Sequence, residues 1–464
     1  MNAPTRLEHL TDEAATARRL RARGLGAEAA LAKAARFARC AAALLEAGAG
    51  AGGAAHALFV PGRIEVLGKH TDYGGGRSLV VAVEQGFCLV AVPREDAAVR
   101  AFALDLGQER EFPLAADLEP TVGHWSNYPM TVARRVARNF PGPLRGGLLA
   151  FSSDLPSAAG MSSSSALVVG SFLALAAING LGGRQQYRRH VADRESLAGY
   201  LGCVENGQTF GDLRGDKGVG TFGGSEDHTA MLCAEPGRLS QYAYCPVRLE
   251  RRIATPAGCV FAVASSGLAA EKTGDAMAKY NRASRLAGAV AEAWRRATGR
   301  ADATIADALA GGDAAGAADR MRAILAAVPG GGPFTSRELL ARFEHFVAES
   351  VEIVPAAGDA LAAGRLAEFG TLVDRSQHLA ETLLGNQVPQ TIFLARAARE
   401  AGAMAASAFG AGFGGSVWAL VREADAGAFL ADWARRYREA HPDEAARAAF
   451  FRTGAGPAAL DLGG

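Results

Sequence analysis

The chain has 464 residues, 49% hydrophobic and 7% aromatic, with a formal net charge of +1; that is enough apolar material for two or three buried cores. Balanced charge and few aromatics exclude the basic, aromatic-studded surface of a nucleic-acid binder, and no run of about 18 uncharged apolar residues offers a membrane-spanning helix. Six scattered cysteines without a C-x-x-C pair read as reduced structural thiols, and the charged residues Glu8, Asp12 and Glu13 interrupt any secretion-signal core, so a cytoplasmic location is expected.

From about Thr11 to Gly48 an Ala-, Arg- and Leu-rich run without proline predicts one or two helices, ended by the glycines of 48–53. Strands follow in Pro61-Gly-Arg-Ile-Glu-Val-Leu-Gly-Lys-His-Thr-Asp-Tyr-Gly-Gly-Gly76, where short apolar runs flank Lys69, His70, Asp72 and Tyr73 on a loop. Such polar groups at a strand-to-loop junction suit a polyhydroxylated ligand, because Asp accepts paired hydroxyls and His donates or accepts. An ordinary Gly-rich hairpin with solvated tips fits the segment as well.

A mixed sheet is expected over about 57–240, with helices at 125–140, 163–179 and 189–210. The second of these is preceded by the stretch Leu155-Pro-Ser-Ala-Ala-Gly-Met-Ser-Ser-Ser-Ser-Ala166, small residues and hydroxyls running into an apolar helix. Unpaired N–H groups at a helix start can bind phosphoryl oxygens and serine hydroxyls can ligate Mg²⁺. A plain capped turn is the alternative. Beyond it, a strand at 259–264 and helices near 276–298, 300–327, 336–350 and 390–401 are predicted. The segment Gly410-Ala-Gly-Phe-Gly-Gly-Ser-Val-Trp-Ala-Leu420 then reads as a glycine turn entering a strand.

In this order and at these separations, the three segments resemble the signature motifs of the GHMP small-molecule kinases, the superfamily of galactokinase, homoserine kinase and mevalonate kinase. Gly-Arg-Ile-Glu-Val-Leu-Gly-Lys-His-Thr-Asp-Tyr73 is similar to the galactokinase signature Gly-Arg-x-Asn-Leu-Ile-Gly-Glu-His-Thr-Asp-Tyr. Trp125-Ser-Asn-Tyr128, Gly223-Gly-Ser-Glu-Asp-His228, Lys279-Tyr-Asn-Arg282 and Ser376-Gln-His378 echo further galactokinase segments, so the likeness runs from about Phe59 to Leu420.

The resemblance implies an α+β, two-domain GHMP kinase architecture: a helical N-terminal extension over 1–54, a mixed-sheet domain over 55–245 and a ferredoxin-like α+β domain over 246–464, with the active site in the cleft. It implies Asp227 as the group that accepts or orients the attacking hydroxyl's proton and Arg63 as its cationic partner. His70, Asp72, Gly224 and Tyr280 match sugar-contacting positions, and Lys69 stands where the signature has glutamate. Gly160, Ser162, Ser163, Ser164, Gly412 and Gly414 fall at ATP- and phosphate-binding positions, and Ser164 and Glu205 at the Mg²⁺ site. Glu205 precedes Asp227 by 22 residues, a longer spacing than the family leads one to expect, and 211–218 looks inserted.

The implied activity is transfer of the γ-phosphoryl of ATP to the anomeric hydroxyl of a galactose-like sugar. Lys69 in place of an acceptor opens a sugar acid such as galacturonate, through a lysine–carboxylate pair. Alternatives are a GHMP kinase acting on another small alcohol and a non-catalytic sugar-binding regulator. The partner is a small-molecule sugar, with no nucleic acid or membrane, and monomer and homodimer fit equally.

Overall fold

A computed structural model describes residues 3–156, 160–268, 274–311, 313–329 and 331–463. Ser157, Ala158 and Ala159 of the expected phosphate loop lie outside the described residues. The strands are β1 (Thr5–Arg6), β2 (Ala54–Leu67), β3 (Arg77–Pro93), β4 (Ala98–Ala103), β5 (Gln108–Pro113), β6 (Gly147–Ser153), β7 (Arg238–Ala243), β8 (Arg248–Ala254), β9 (Cys259–Ser265), β10 (Ala405–Phe409), β11 (Ser416–Arg422), β12 (Ala449–Thr453) and β13 (Leu460–Asp461). The first helices are α1 (Glu13–Arg21), α2 (Ala27–Glu46), α3 (Asn127–Asn139), α4 (Ser163–Ile178), α5 (Gln185–His190), α6 (Arg194–Asn206), α7 (Glu226–Cys233) and α8 (Gly274–Thr298).

Among the described residues the strands form two sheets. Nine make the first, in the order β1-β2-β3-β6-β4-β5, with β13 on β2 and the β7–β8 hairpin on β3; β4 and β6 pair in parallel and the other neighbours antiparallel. The second is the antiparallel β10-β11-β9-β12. The chain is therefore α+β with a large and a small sheet. Because β8 pairs with β7, the chain leaves the large sheet after Ala254, and the division expected at 245/246 falls inside that hairpin.

The large sheet is covered on both faces because β3 alternates with a period of two. Leu89 and Ala91 face one core with Val168 and Phe172 of α4, whereas Cys88, Val90 and Val92 face another with Ala34, Phe37, Ala41 and Leu44 of α2. The last four recur at helical spacing, the pattern of an amphipathic helix laid on a sheet. The N-terminal residues are thus a layer of the large sheet rather than an appendage, and β1 pairs with β2 at Thr5 opposite Ala55.

Several expected helices are divided. The run 189–210 breaks into α5 and α6, because Asp193 accepts from Ser196 N in a capping box and starts a new helix. The run 300–327 breaks into Ile305–Leu309 and Ala314–Ala326, the second capped by Asp313. Conversely, Ser336–Phe346 continues through a π-helical stretch, Val347–Ile353, into Val354–Ala362.

That long helical run holds the first motif. Gly68 N donates to Glu349 Oε1 at 2.7 Å, Arg77 N donates to Ser350 Oγ at 2.9 Å, and Arg342 donates to the His70 carbonyl. A Cβ on Gly74 would lie 2.9 Å from the Phe346 ring, so the glycine there answers a close approach from the same helix.

Candidate active site

A cavity of about 500 Å³ opens between the two halves of the chain, lined by the large sheet, the start of α4, the start of α7, Tyr280 on α8 and Gly410–Ala411 beyond β10. Of the expected residues, Arg63, His70, Asp72, Gly160, Ser162, Ser163, Ser164, Glu205, Gly224, Asp227 and Tyr280 all line it.

Arg63 is placed by an irregularity in β2. Register shifts against β3 flank it, between Pro61 and Arg63 and again between Glu65 and Leu67, which re-aims the strand's side chains. Arg63 Nε donates to Asp227 Oδ1 at 2.7 Å and Nη1 to the Gly160 carbonyl at 2.6 Å. Burial alone would disfavour the guanidinium charge, but Asp227, Glu226 and Glu65 outweigh it and hold the group cationic.

The other oxygen of Asp227 accepts from Ser162 Oγ at 2.5 Å and Ser165 Oγ at 3.3 Å. Ser162 sits in the left-handed region at φ 59° just before α4, and no side chain caps that helix among the described residues. The start of α4 therefore meets the cavity with Ser163 and Ser164 half-buried beside it.

The first-motif loop contributes a second group. His70 Nε2 faces the Ala411 carbonyl at 3.0 Å, so that nitrogen carries the proton, and Nδ1 accepts from the Tyr73 hydroxyl at 2.8 Å. Burial, then Arg342, push the imidazole down to about 4, which leaves it neutral at pH 7. Asp72 accepts from Tyr73 N at 2.8 Å and Glu226 N at 3.2 Å, with burial raising its carboxyl. Gly224 lies directly over it, since a Cβ there would stand 2.2 Å from Asp72 Oδ2. The Tyr280 ring is 5.4 Å from that of His70.

Three of the expected residues lie outside the cavity lining. Lys69 does not line the cavity: it is fully buried, and its Nζ donates to Ser376 Oγ at 3.1 Å, which donates in turn to Glu349 Oε1 at 3.0 Å. Lys69 lies in the turn after β2, followed by His70 in the left-handed region at φ 58°, and that backbone path sends the two neighbouring side chains in different directions. Gly412 and Gly414 are not among the lining residues either, and Gly412 abuts Asn386; Gly410 and Ala411 of the same loop line the cavity. A Cβ on Gly410 would lie 2.7 Å from the Gly160 carbonyl, so the two glycine loops are in contact.

Glu205 Oε2 lies 2.9 Å from His228 Nε2, both side chains nearly inaccessible. The segment 211–218 contributes nothing to the cavity lining; it docks on α3 through Asp216, which accepts from Arg134 Nε at 2.5 Å. Among the described residues no group of three or more His, Cys, Asp or Glu side chains is arranged to hold a metal ion, and no helix is long and apolar enough to cross a membrane.

Lining residues outside the expected set include Glu65, Glu226, His228, Ser165 and an aromatic group in which Trp125 and Phe87 each pack on Phe151, at ring distances of 5.5 and 5.9 Å. Glu65 carries a sequence signal, since it follows Arg63 by two positions on a strand and shares its face.

Comparisons with known proteins agree on one family. Residues 50–93 match the galactokinase galactose-binding signature, 127–200 the GHMP kinase N-terminal domain and 359–439 the GHMP kinase C-terminal family. A galactokinase of Chloroflexus aggregans is 30% identical over 376 residues, covering 80% of this chain and 85% of that protein. A galactokinase of Actinobacillus pleuropneumoniae is 35% identical over 116 residues, 25% of this chain, and the chain spans only 30% of that relative's length. The fold is similar to that of Lactococcus lactis galactokinase complexed with galactose, with a TM-score of 0.69, 23% identity, and coverage of 88% of this chain and 95% of that one.

Proposed function

The chain belongs to the galactokinase branch of the GHMP kinases, and from that premise we propose that it transfers the γ-phosphoryl of ATP to the anomeric hydroxyl of a neutral, galactose-like sugar. The observation that carries this is the Arg63–Asp227 pair, 2.7 Å apart and tied through Gly160 and Ser162 to the start of α4. Phosphoryl transfer asks mainly for positioning and charge neutralisation. Phosphate oxygens bind at the helix start and the serine run, and Arg63 offsets charge on the moving phosphoryl. Both oxygens of Asp227 already accept from protein donors, which suits that carboxylate to orienting the sugar hydroxyl.

The adenine takes the aromatic group around Trp125 and Phe151, where planar stacking is available. Ser164 and Glu205 line the cavity and present hard oxygen donors, the type Mg²⁺ prefers, so they are the pair assigned to it. The ion would neutralise phosphate charge when bound. His70, Asp72, Gly224 and Tyr280 form the sugar end. A sugar acid is disfavoured, because Lys69 is turned away while Glu65 and Glu226 add two carboxyls to the lining.

ADP release measured against galactose, galacturonate, arabinose, mevalonate and homoserine tests the reading. Turnover with galactose and none with mevalonate or homoserine is expected; turnover only with a non-sugar alcohol would overturn it.

A further inference from the structure

Two carboxyl groups in the cavity have no part in the transfer step. Glu65 shares a strand face with Arg63, and Glu226 precedes Asp227 in the first turn of α7, with its Oε1 4.0 Å from Arg63 Nε. They are 4% and 5% exposed, and both line the cavity. The cations nearby are committed elsewhere: Arg63 bonds to Asp227 and Gly160, and Lys69 to Ser376. Glu65 Oε1 has no hydrogen-bond partner among the described residues.

A buried carboxyl oxygen without a donor is strongly unfavourable, and native proteins satisfy such atoms. Where the atom faces a ligand cavity, the ligand is the natural source of the missing donor. We propose that Glu65 is a specificity-determining residue of the acceptor site, its Oε1 accepting a hydrogen bond from a hydroxyl of the sugar while Glu226 flanks it.

Burial raises Glu65 to about 7 and Glu226 well above the usual carboxylate range, with Glu65 the next largest influence on Glu226. Two carboxyls that resist joint ionisation suit a neutral polyol and repel an anionic one. Glu65 thereby supplies an acceptor in the first motif, where the side chain at 69 has become a buried cation. The inference rests on the sugar-kinase reading.

The test is a cycle of sugar and protein variants. KM and kcat are measured for the wild type, Glu65→Ala and Glu65→Gln with galactose and its 2-, 3-, 4- and 6-deoxy analogues, alongside the KM for ATP and thermal melting. Loss of this buried bond is expected to raise the galactose KM of Glu65→Ala on the order of 10- to 100-fold, with ATP KM unchanged and Glu65→Gln, whose amide oxygen is also an acceptor, recovering part of it. One deoxy analogue should be equally poor with all three proteins, because its donor is already gone. If Glu65→Ala does not fold, the Glu65→Gln cycle decides alone. A galactose KM within twofold of wild type, or losses that simply add for every analogue, would overturn the assignment while leaving the kinase reading intact. A wild type that releases no ADP with any sugar overturns both.

Discussion

Arg63 bonds at once to Asp227 and to the Gly160 carbonyl, at 2.7 and 2.6 Å, so one guanidinium ties the first turn of α7 to the loop that leads into α4. Three segments distant in sequence are fixed to one another by a planar fork whose donors point along set directions. Lysine brings the charge but not the fork. Arg63→Lys is expected to remain folded and to lose at least about tenfold in kcat, read by steady-state ADP release; an unchanged kcat would mean that charge alone suffices.

The inward turn of Lys69 makes it a structural cation. Its removal takes a donor from Ser376, which bonds to the Glu349 that holds the Gly68 amide in the core. Lys69→Met is expected to lower stability by roughly 1–3 kcal/mol, the cost of removing a buried donor from Ser376, measured by urea unfolding. Galactose should stay preferred over galacturonate in that variant. A selectivity that swings on this substitution would place Lys69 at the sugar after all.

Gly224→Ala brings a methyl to 2.2 Å from Asp72 Oδ2. The backbone must shift or Asp72 must leave its place against Tyr73 N and Glu226 N. A stability loss of about 1–3 kcal/mol is expected, with a raised sugar KM and an ATP KM near wild type. Equal rises in both constants would indicate a general loosening of the cavity.

Glu65 gives the protein a pH signature. Its ordinary value is 4.5 and its folded value about 7, raised first by burial. Between those two pH values the unfolded chain has released the proton and the folded chain still holds it, so this group's contribution to stability falls as pH rises, by roughly 1 kcal/mol per pH unit. Glu226 is shifted in the same direction. Replacing Glu65 with Gln removes the titration, so the stability of Glu65→Gln relative to wild type should grow from pH 4.5 to 7. A difference that is flat with pH would contradict the burial of an ionisable group there.

Much of the site is legible in the sequence because its chemistry is carried on short contiguous motifs. Arg63, Asp72, Ser162 and Asp227 belong to segments whose order and type point to phosphoryl transfer, and all reach one cavity. Side-chain direction is less legible. Lys69 and His70 are neighbours, yet one enters the core and the other the cavity, a matter of backbone path that residue type does not encode. Composition marks the glycine loop at 410–415 but does not encode that Gly410 rather than Gly412 faces the ligand space. In the fold, the break of 189–210 is signalled by Asp193 and Ser196 at capping-box spacing, whereas the π-helical turn that brings Glu349 to Gly68 depends on packing between remote segments.

In the proposed mechanism Asp227, held by Arg63 beside the start of α4, orients an anomeric hydroxyl for phosphorylation. The most direct test is ADP release with galactose and ATP by wild type and Asp227→Asn, with the phosphorylated carbon identified by ³¹P–¹H NMR and sugar binding followed by calorimetry. A sugar 1-phosphate is expected from the wild type and a kcat lowered on the order of 10²- to 10⁴-fold in the variant, with sugar still bound. Comparable turnover by the two proteins, or phosphate on any other carbon, would contradict that mechanism.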